Sequence, residues 1–349
     1  MSALPENDLA PSKRSGADGE ARPPLNQPAR PMLARDADSI YWMTRYVERA
    51  EHVARLLLVN STLLVDVGDM AERMQSQLWQ SLRVIFRQDE LPDAGGEEPI
   101  APRVVRSLTF DLENPNSLIS CVGRARENAR GIRENISAEM WECLNTLYWA
   151  VRGDDAPAKY DDSPDDFYRS IMAASMLFQG LTDQTMAHDQ RWQFTQLAKY
   201  FERADVTCRV IQTKFNILSA NEPMTESAIR NIHWMAVLRS CCSIEAYRRT
   251  YLGDMDPLKV AGFLLLEKNF PRSVRFAVEG ARQAMTQIRA AVNPRQIDEA
   301  ERILGRLDAQ LEYAELGEIL MEGLSNYLER IQSAVADAAL AVQKRYFLH

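Results

Sequence analysis

The sequence predicts an all-α protein, a multi-helix bundle of about eight to ten helices with an internal pseudo-two-fold repeat. Glycine is scarce, at 15 of 349 residues, whereas average proteins hold roughly 7%. Long segments contain no turn residues, and their apolar positions recur near the helical period of about 3.6 residues rather than in the alternating pattern of strands. The repeat is predicted from a charged heptapeptide that occurs twice.

The chain is expected to consist of a tail and one domain. Six prolines lie within residues 1–31, among alanine, serine and charges of both signs. This composition predicts a disordered Pro-rich tail over residues 1–32. Residues 33–349 should form the helical domain, because the apolar share of 46% and the charged share of 26% are those of an ordinary globular protein.

Helices are predicted where apolar positions recur at helical spacing. The first begins at residues 36–39, with a buried stripe that reaches Leu57. A second covers residues 70–87. The motif NPNS at residues 114–117 predicts a long helix through Trp149. Further long helices are expected from the residues numbered 183 and 314.

Breaks and starts between these helices are also predicted. Two acidic stretches, residues 91–103 and 153–166, interrupt the helical pattern. Proline at the first helical position loses no hydrogen bond, so a capping residue followed by proline marks a helix start. The sequence predicts three such starts, at Ser163–Pro164, Asp256–Pro257 and Asn293–Pro294.

Charge and missing motifs exclude several classes of function. The net charge of −8 comes mostly from the acidic stretches, and no dense basic run exists to neutralise the phosphates of a nucleic acid. No apolar run approaches the ~18 residues that span a bilayer, so neither nucleic acid nor membrane is an expected partner. The motifs GxxxxGK[ST], GxGxxG, GxSxG and HExxH are absent, so no cofactor is expected on this chain. Five cysteines without a CxxC pair indicate reduced thiols and a cytoplasmic location.

The heptapeptides RYVERAE, at residues 45–51, and KYFERAD, at residues 199–205, share the pattern basic–Tyr–x–Glu–Arg–Ala–acid. Each lies in an apolar segment, and on a helix each places its charges on one narrow stripe. The first stripe holds Tyr41, Arg45, Glu48, His52 and Arg55, and the second holds Thr195, Lys199, Glu202, Val206 and Arg209, with Arg49 and Arg203 at the edges.

The repetition predicts that two related helices face each other. Because charges are not buried alone, Glu48 is expected to pair with Arg203 and Glu202 with Arg49. Two interpretations follow. The pairs form a structural ion-pair network in the core, or the arginines line a pocket with two carboxylates that binds an anionic ligand or an acidic peptide.

A further arginine cluster, RARENARGIRENISAEMWE, covers residues 124–142 and places Arg126 and Arg130 on one face. It is typical of an anion-binding face or of a surface helix with i,i+4 pairs. The predicted site residues are therefore Glu48 and Glu202 as catalytic groups, and, as ligand-binding groups, Arg45, Arg49, Arg55, Lys199, Arg203, Arg209, Arg126 and Arg130.

A third cluster, GLTDQTMAHDQRW at residues 180–192, places Asp183, His188 and Asp189 near an expected helix start. His188 has no histidine partner three or four residues away, and the chain contains no Glu-x-x-His pair. No metal ligand is therefore predicted. A carboxylate-bridged metalloenzyme remains a third hypothesis beside the pocket and the structural network.

Four segments of the chain resemble the alpha-E domain family: LARDADSIYWMTRYVERAEHVARLL, NPNSLISCVGRARENARGIRENISAEMWECLN, GLTDQTMAHDQRWQFTQLAKYFERAD and LRSCCSIEAYRRTYLGDMDPLKVAGFLLLEKNFPRSVRF. The resemblance covers residues 33–345, with the four blocks in order. The family is named for an all-α prediction and a Glu–Arg motif, which falls on Glu48–Arg49 and Glu202–Arg203.

The resemblance also implies a function. Members resemble partners of circularly permuted ATP-grasp ligases, encoded beside or fused to them, often near a transglutaminase-like protease. This implies a partner subunit for amide or peptide bond formation that holds an acidic peptide or acyl-phosphate, with ATP and Mg²⁺ on the ligase. The arginines would bind the anion, and Glu48 and Glu202 would orient it or accept a proton from the attacking amine. The alternative is a helical scaffold in which the Glu–Arg pairs are structural only.

Overall fold

The computed structural model describes residues 32–67, 72–88, 99–220, 227–252, 255–293 and 295–347. These residues contain fifteen α-helices, a 3₁₀ turn at Arg133–Asn135 and a π-helical turn at Gln343–Phe347, and they contain no strand. The all-α prediction is confirmed, whereas the expected eight to ten helices are too few. Residues 1–31 of the predicted tail lie outside the described residues.

The helices are α1 (Ala34–Val67), α2 (Glu72–Ile85), α3 (Ile100–Phe110), α4 (Leu118–Gly131), α5 (Ala138–Arg152), α6 (Ala156–Asp162), α7 (Pro164–Thr185), α8 (Gln190–Ala220), α9 (Ser227–Ser240), α10 (Ile244–Thr250), α11 (Pro257–Leu266), α12 (Val274–Val292), α13 (Glu299–Glu312), α14 (Leu316–Glu322) and α15 (Leu324–Val342). No helix in these described ranges combines the length and apolar character needed to cross a membrane.

The long helices α1 and α8 each carry one heptapeptide and pack against each other. Four pairs of side chains hydrogen-bond between them, and the sequence separation of each pair lies between 153 and 157. A constant separation means that the two helices run parallel, with the heptapeptides side by side. These pairs involve only α1 and α8, so the pseudo-two-fold repeat of the whole fold stays a prediction.

The apolar faces of both helices are covered by their neighbours. α1 packs against α4 and α7, and α8 packs against α12 and α15. The stripe predicted for α1 is buried, since its side chains expose 1% of their surface or less. It consists of Ile40, Met43, Val47, Ala50, Ala54 and Leu57.

Helix α12 packs tightly against α8 at Gly280. A Cβ atom at this position would lie 2.5 Å from the Tyr200 ring. Real Cβ atoms do not come this close to a ring carbon, so the packing requires glycine. The Tyr200 ring also packs against Phe276, with ring centroids 6.0 Å apart. This junction positions the second heptapeptide against α12.

The predicted helix from NPNS to Trp149 is two helices, α4 and α5. The chain leaves the helical conformation at Ile132, and a second helix begins after Ser137. The Ser137 hydroxyl accepts a hydrogen bond from the backbone N–H of Met140 at 3.2 Å. This cap stabilises a new helix start inside a segment whose apolar pattern is nearly continuous.

Other boundaries also differ from the predictions. The expected start at residue 183 is wrong, because Asp183 lies near the end of α7 and α8 begins at Gln190. From residue 314 the chain first forms the short α14, and the long α15 follows Gly323, whose φ of 99° favours glycine. The acidic stretch 153–166 contains the short helix α6. In the stretch 91–103, α3 begins at Ile100, and residues 91–98 lie outside the described part.

Two of the three predicted proline starts are confirmed. The side chains of Ser163 and Asp256 cap α7 and α11, each with proline at the first helical position. The third prediction is wrong, because Asn293 ends α12 and Asp298 caps the next helix. Pro294 lies outside the described residues. The predicted helix over residues 70–87 corresponds to α2.

Candidate functional site

The charged side chains of the two heptapeptides lie between α1 and α8, inside the protein. Glu48 and Glu202 are 3% and 1% exposed, and Arg45 and Lys199 are 8% and 6% exposed. Charged groups at this depth have lost nearly all of their hydration, so they are stable only with partners.

The predicted cross-pairing is confirmed. Arg203 donates from Nε and Nη2 to the two carboxylate oxygens of Glu48, each at 2.9 Å. Arg49 donates to Glu202 in the same way, from Nε at 2.7 Å and from Nη2 at 3.0 Å. A planar guanidinium forms such two-bond contacts and a lysine does not. The heptapeptide therefore occurs twice because each helix supplies the partner for the other helix.

Glu202 accepts a third hydrogen bond, from Arg45. The Nε atom of Arg45 lies 2.5 Å from Oε2 of Glu202, and its Nη1 donates to the Tyr41 hydroxyl at 2.8 Å. One carboxylate therefore holds two guanidinium groups, from Arg45 and Arg49. The structure thus pairs three of the predicted ligand-binding residues, Arg45, Arg49 and Arg203, directly with the two predicted catalytic residues.

Lys199 occupies the position on α8 that Arg45 occupies on α1, but it makes no equivalent pair. Among the described residues, no carboxylate lies within 4 Å of its ammonium, which is 4.9 Å from the centroid of the Tyr200 ring. Burial, together with the nearby Arg203, lowers the pKa of Lys199 to about 8. The two copies of the stripe are therefore not equivalent.

The acid that closes each heptapeptide pairs with the arginine one turn later. Glu51 accepts a hydrogen bond from Nε of Arg55 at 2.7 Å, and Asp205 accepts one from Nε of Arg209 at 3.1 Å. Glu51 also accepts from Nη1 of Arg272 at 3.0 Å. Glu51 and Arg272 were not predicted as site residues. For Glu51 a signal existed, because the acid recurs at the same position in both copies.

Arg209 is directed away from the central pairs. Besides Asp205, its Nη1 donates to the backbone carbonyl oxygen of Ile85 at 2.8 Å, at the end of α2. The exposed Arg87 lies 3.7 Å from the same aspartate. These contacts fasten α2 to α8. The assignment of Arg209 as a ligand-binding residue stays a prediction.

His52 lies beside Arg272 and carries an unpaired N–H group. Its Nε2 is 3.1 Å from Nη1 of Arg272, and because a guanidinium only donates, Nε2 accepts and the hydrogen lies on Nδ1. Nδ1 is buried and has no hydrogen-bond partner in the described residues. Burial lowers the pKa of His52 to about 4, and Glu51 opposes this shift only in part. His52 is therefore neutral at pH 7.

The carboxylates are ionised and weakly basic. Burial alone would raise the pKa of Glu48 and of Glu202, but the facing guanidiniums outweigh burial and hold both pKa values below the usual range. Arg203 dominates at Glu48, and Arg49 with Arg45 at Glu202. A carboxylate with a lowered pKa is a poor proton acceptor near neutral pH. This geometry favours a role in orienting guanidiniums, and the catalytic assignment stays a prediction.

These residues form three groups of ion pairs, which we treat as one charged network because Arg272 of one group also acts electrostatically on Glu48 of another; the network has more positive than negative groups. We define the network as three carboxylates and five guanidiniums, namely Glu48, Glu51, Glu202, Arg45, Arg49, Arg55, Arg203 and Arg272. The carboxylates are 2–3% exposed at the side chain, and the guanidinium side chains are 9–19% exposed. The network therefore carries a surplus of two positive charges, on the side chains that retain access to solvent.

The arginine cluster of α4 lies apart from this network. Arg126 donates to the side-chain oxygen of Asn145 at 2.8 Å, and its guanidinium is 4.4 Å from the ring centroid of Tyr148. Arg130 pairs with Glu127 at 2.7 Å, and both side chains are more than half exposed. These contacts are those of a surface helix pair. Ligand binding by Arg126 and Arg130 stays a prediction.

The predicted cluster around His188 joins the end of α7 to the start of α8. The His188 ring stacks on Trp192 with centroids 4.1 Å apart, and its Nε2 lies 3.0 Å from the backbone oxygen of Asp183. Asp189 pairs with Arg191. Within the described ranges, no three His, Cys, Asp or Glu side chains are grouped so that they could hold a metal ion.

These features define a class of helical domain in which two parallel helices exchange Glu–Arg pairs. Residues 32–347 match the family Alpha-E, described as a predicted alpha-helical domain with a conserved ER motif. Because the match covers nearly the whole chain, the protein belongs to the Alpha-E family.

Similar proteins include uncharacterized proteins from Mycobacterium bovis and Mycobacterium tuberculosis. Each is 26% identical over 351 residues, which is 94% of this chain and 39% of the relative. The chain thus spans about two fifths of the length of these relatives. No solved structure matches the chain.

Proposed function

We propose that this protein is the helical partner subunit of an ATP-grasp-type ligase that forms an amide or peptide bond. In this proposal the charged network binds the anionic group of an acidic peptide or acyl-phosphate intermediate. The observation that carries the proposal is the surplus of two positive charges in the network. Two buried, uncompensated charges cost several kcal/mol, and a bound carboxylate or phosphate offsets that cost.

The donors needed to bind such an anion are present. Within the network, Arg272 and Arg49 carry planar guanidiniums that retain access to solvent, since their side chains are 11% and 19% exposed. His52 adds a neutral N–H group without a partner in the described structure. Phosphate and carboxylate oxygens accept hydrogen bonds from several such donors at once. In this arrangement Glu48 and Glu202 hold the guanidiniums in place, and the attacking amine loses its proton to another base.

The partner is proposed from the family resemblance and from the length of the relatives. In the mycobacterial proteins the segment similar to this chain makes up 39% of the polypeptide, so further sequence accompanies the helical domain there. The proposal assigns ATP and Mg²⁺ to the ligase, and it includes a transglutaminase-like protease as a second partner. It places the complex in the cytoplasm, where the free cysteines of this chain stay reduced.

A specific observation favours a second candidate function, a helical scaffold. The three carboxylates are fully occupied by guanidiniums from three segments of the chain, so the network also holds α1, α8 and the loop before α12 together. A scaffold needs no ligand, and its two surplus charges would be offset only by solvent at the guanidiniums. The two functions therefore differ in their response to anions.

The test is an affinity pull-down of the full chain from its native cell extract, with and without ATP. The expected result is an ATP-grasp protein that co-purifies and releases ADP in a coupled assay only when this chain is present. In the reconstituted pair, Arg272→Gln should lower the rate of ADP release, and the exposed control Arg306→Gln should not. If a monodisperse bait captures no ATP-grasp protein, the partner proposal fails. If Arg272→Gln leaves the rate unchanged, the anion-binding role fails.

A further inference from the structure

A surface cleft with a volume of about 560 Å³ lies between α8, α12 and α13. This volume is in the range of small-molecule sites. The cleft contains none of the carboxylates of the charged network. The side chains that define its chemistry are Tyr200, Phe276, Lys268, Arg275, Glu279 and Glu312.

One end of the cleft carries two cations without protein partners. Lys268, in the loop before α12, is exposed, and Arg275, in the first turn of α12, is half-buried. In the part of the chain that the structure describes, neither forms an ion pair or a hydrogen bond through its side chain. By contrast, Arg282 in the same cleft is occupied, because its Nε lies 2.5 Å from Asp308. The two unpaired cations fit a carboxylate from a ligand.

The next turn of the cleft carries two carboxylates, Glu279 and Glu312, that form no ion pair within the described ranges, although Glu279 accepts a hydrogen bond from Nε2 of Gln283 at 3.0 Å. Glu279 follows Arg275 by one helical turn, a rise of about 6 Å. Helices α12 and α13 run antiparallel, since Arg282 pairs with Asp308 and Arg289 with Glu301. Glu312 is one turn beyond Asp308, so it lies level with Glu279. These acids fit an ammonium group.

Aromatic rings form a wall of the cleft beside these charges. Tyr200 and Phe276 pack with centroids 6.0 Å apart, and Gly280 leaves the space that the Tyr200 ring occupies. The ammonium of Lys199 lies 4.9 Å from the centroid of the same ring. The wall of the cleft is thus continuous with the second heptapeptide. It offers an apolar surface for a side chain of the ligand.

We propose that this cleft binds a short peptide with free ends, two or three residues long. The carboxylate of the peptide contacts Lys268 and Arg275, and its ammonium contacts Glu279 and Glu312. An extended dipeptide spans about 7 Å, which matches the separation of about one helical turn between the cations and the acids. The idea that such a peptide is the amine acceptor of the ligase rests on the proposed function. The binding of the peptide to this chain does not.

The experiment measures binding of Ala-Ala, Ala-Phe and Ala-Glu to the full chain alone, by calorimetry and saturation-transfer NMR at millimolar peptide. The expected result is binding of at least one peptide, weakened about tenfold when either end is blocked, by N-acetylation or by C-terminal amidation, because hydrogen bonds to charged groups contribute about that much. Arg275→Gln should reduce the difference between free acid and amide, and Glu279→Gln the difference between free amine and acetyl, because each leaves one of the two partners of that end. The exposed control Arg306→Gln should change neither.

Binding by none of the three peptides would overturn the proposal. Binding that ignores both blocked ends and both cleft variants would overturn it equally, since such binding would lie elsewhere. The measurement uses no ligase. A failed pull-down together with peptide binding would therefore refute the ligase partner and support the peptide site. A successful pull-down without peptide binding would support the partner and refute the peptide site.

Discussion

Neutralising either partner of the Glu48–Arg203 pair should destabilise the protein, but not equally. Glu48→Gln leaves the Arg203 guanidinium without its carboxylate and raises the surplus of positive charge in the network from two to three. Arg203→Gln leaves Glu48 without its main partner, but Arg272 still favours the ionised carboxylate, and the surplus falls to one. The glutamate substitution should therefore be the more damaging, although both remove the same ion pair.

The size of each effect follows from the burial of the pair. Removing one partner of a buried pair costs about 3–5 kcal/mol. The positive charge that Glu48→Gln leaves unpaired is repelled by the surplus charges of the network. Two unit charges about 8 Å apart repel each other by about 2 kcal/mol at an effective dielectric constant of about 20. We therefore expect Glu48→Gln to cost about 2 kcal/mol more than Arg203→Gln. In a domain of this size that difference lowers Tm by roughly a further 4 °C.

The assay is thermal and urea unfolding followed by circular dichroism, on both single variants and the double variant. Glu142→Gln, on the exposed face of α5, is the matched control and should leave Tm unchanged. Phosphate should stabilise the wild type more than chloride at equal ionic strength, because a ligand that binds only the folded state raises its stability. Equal losses for the two single variants, or a larger loss for Arg203→Gln, would refute the surplus of positive charge.

Three further results are expected. Because the pKa of His52 falls from 6.5 in the unfolded chain to about 4 in the folded one, His52 should make stability decline as the pH drops from about 6.5 to about 4, by about 2 kcal/mol at pH 5. In urea titrations His52→Gln should remove this contribution and leave the similar one of His233, whose pKa burial also lowers to about 4. Burial lowers the pKa of Lys214 to about 7, so its buried charge destabilises the protein at pH 6 more than at pH 10. Lys214→Met should therefore raise Tm more at pH 6 than at pH 10, and the exposed control Lys259→Met should leave Tm unchanged at both pH values. Gly280→Ala should lower Tm, because its Cβ would meet the Tyr200 ring at 2.5 Å, and an unchanged Tm would show that the ring moves freely.

The all-α fold and the central pairs were predictable from the sequence for a physical reason. Apolar periodicity records which face of a helix is buried, so the stripe of α1 was visible before the structure. A buried carboxylate needs a cation, and a motif that occurs twice limits which arginine can be the partner of each glutamate. The pairing of Glu48 with Arg203 and of Glu202 with Arg49 follows from these two constraints.

Other contacts leave no mark on helical periodicity. Arg272 lies in a loop 221 residues from Glu51, and no spacing rule connects a loop to a distant helix face. The break at Ile132 depends on a local cap at Ser137 that competes with a nearly continuous apolar pattern. The sequence also did not show that Lys199 lacks an ion-pair partner. Lys and Arg appear equivalent in the motif, but only Arg forms the two-bond contact.

The parallel course of α1 and α8 affects the order in which the chain folds. Their contacts join residues at least 153 apart, so the chain leaves one end of α1 and returns through α2–α7 before α8 can pack beside it. Long-range contacts of this kind form late, because loop closure precedes them. During synthesis the charged stripe of α1 meets its partners only after residues 199–205 have left the ribosome. Until then the charges of this stripe lack the partners that they have in the finished core, so this face of α1 is stable only in contact with water.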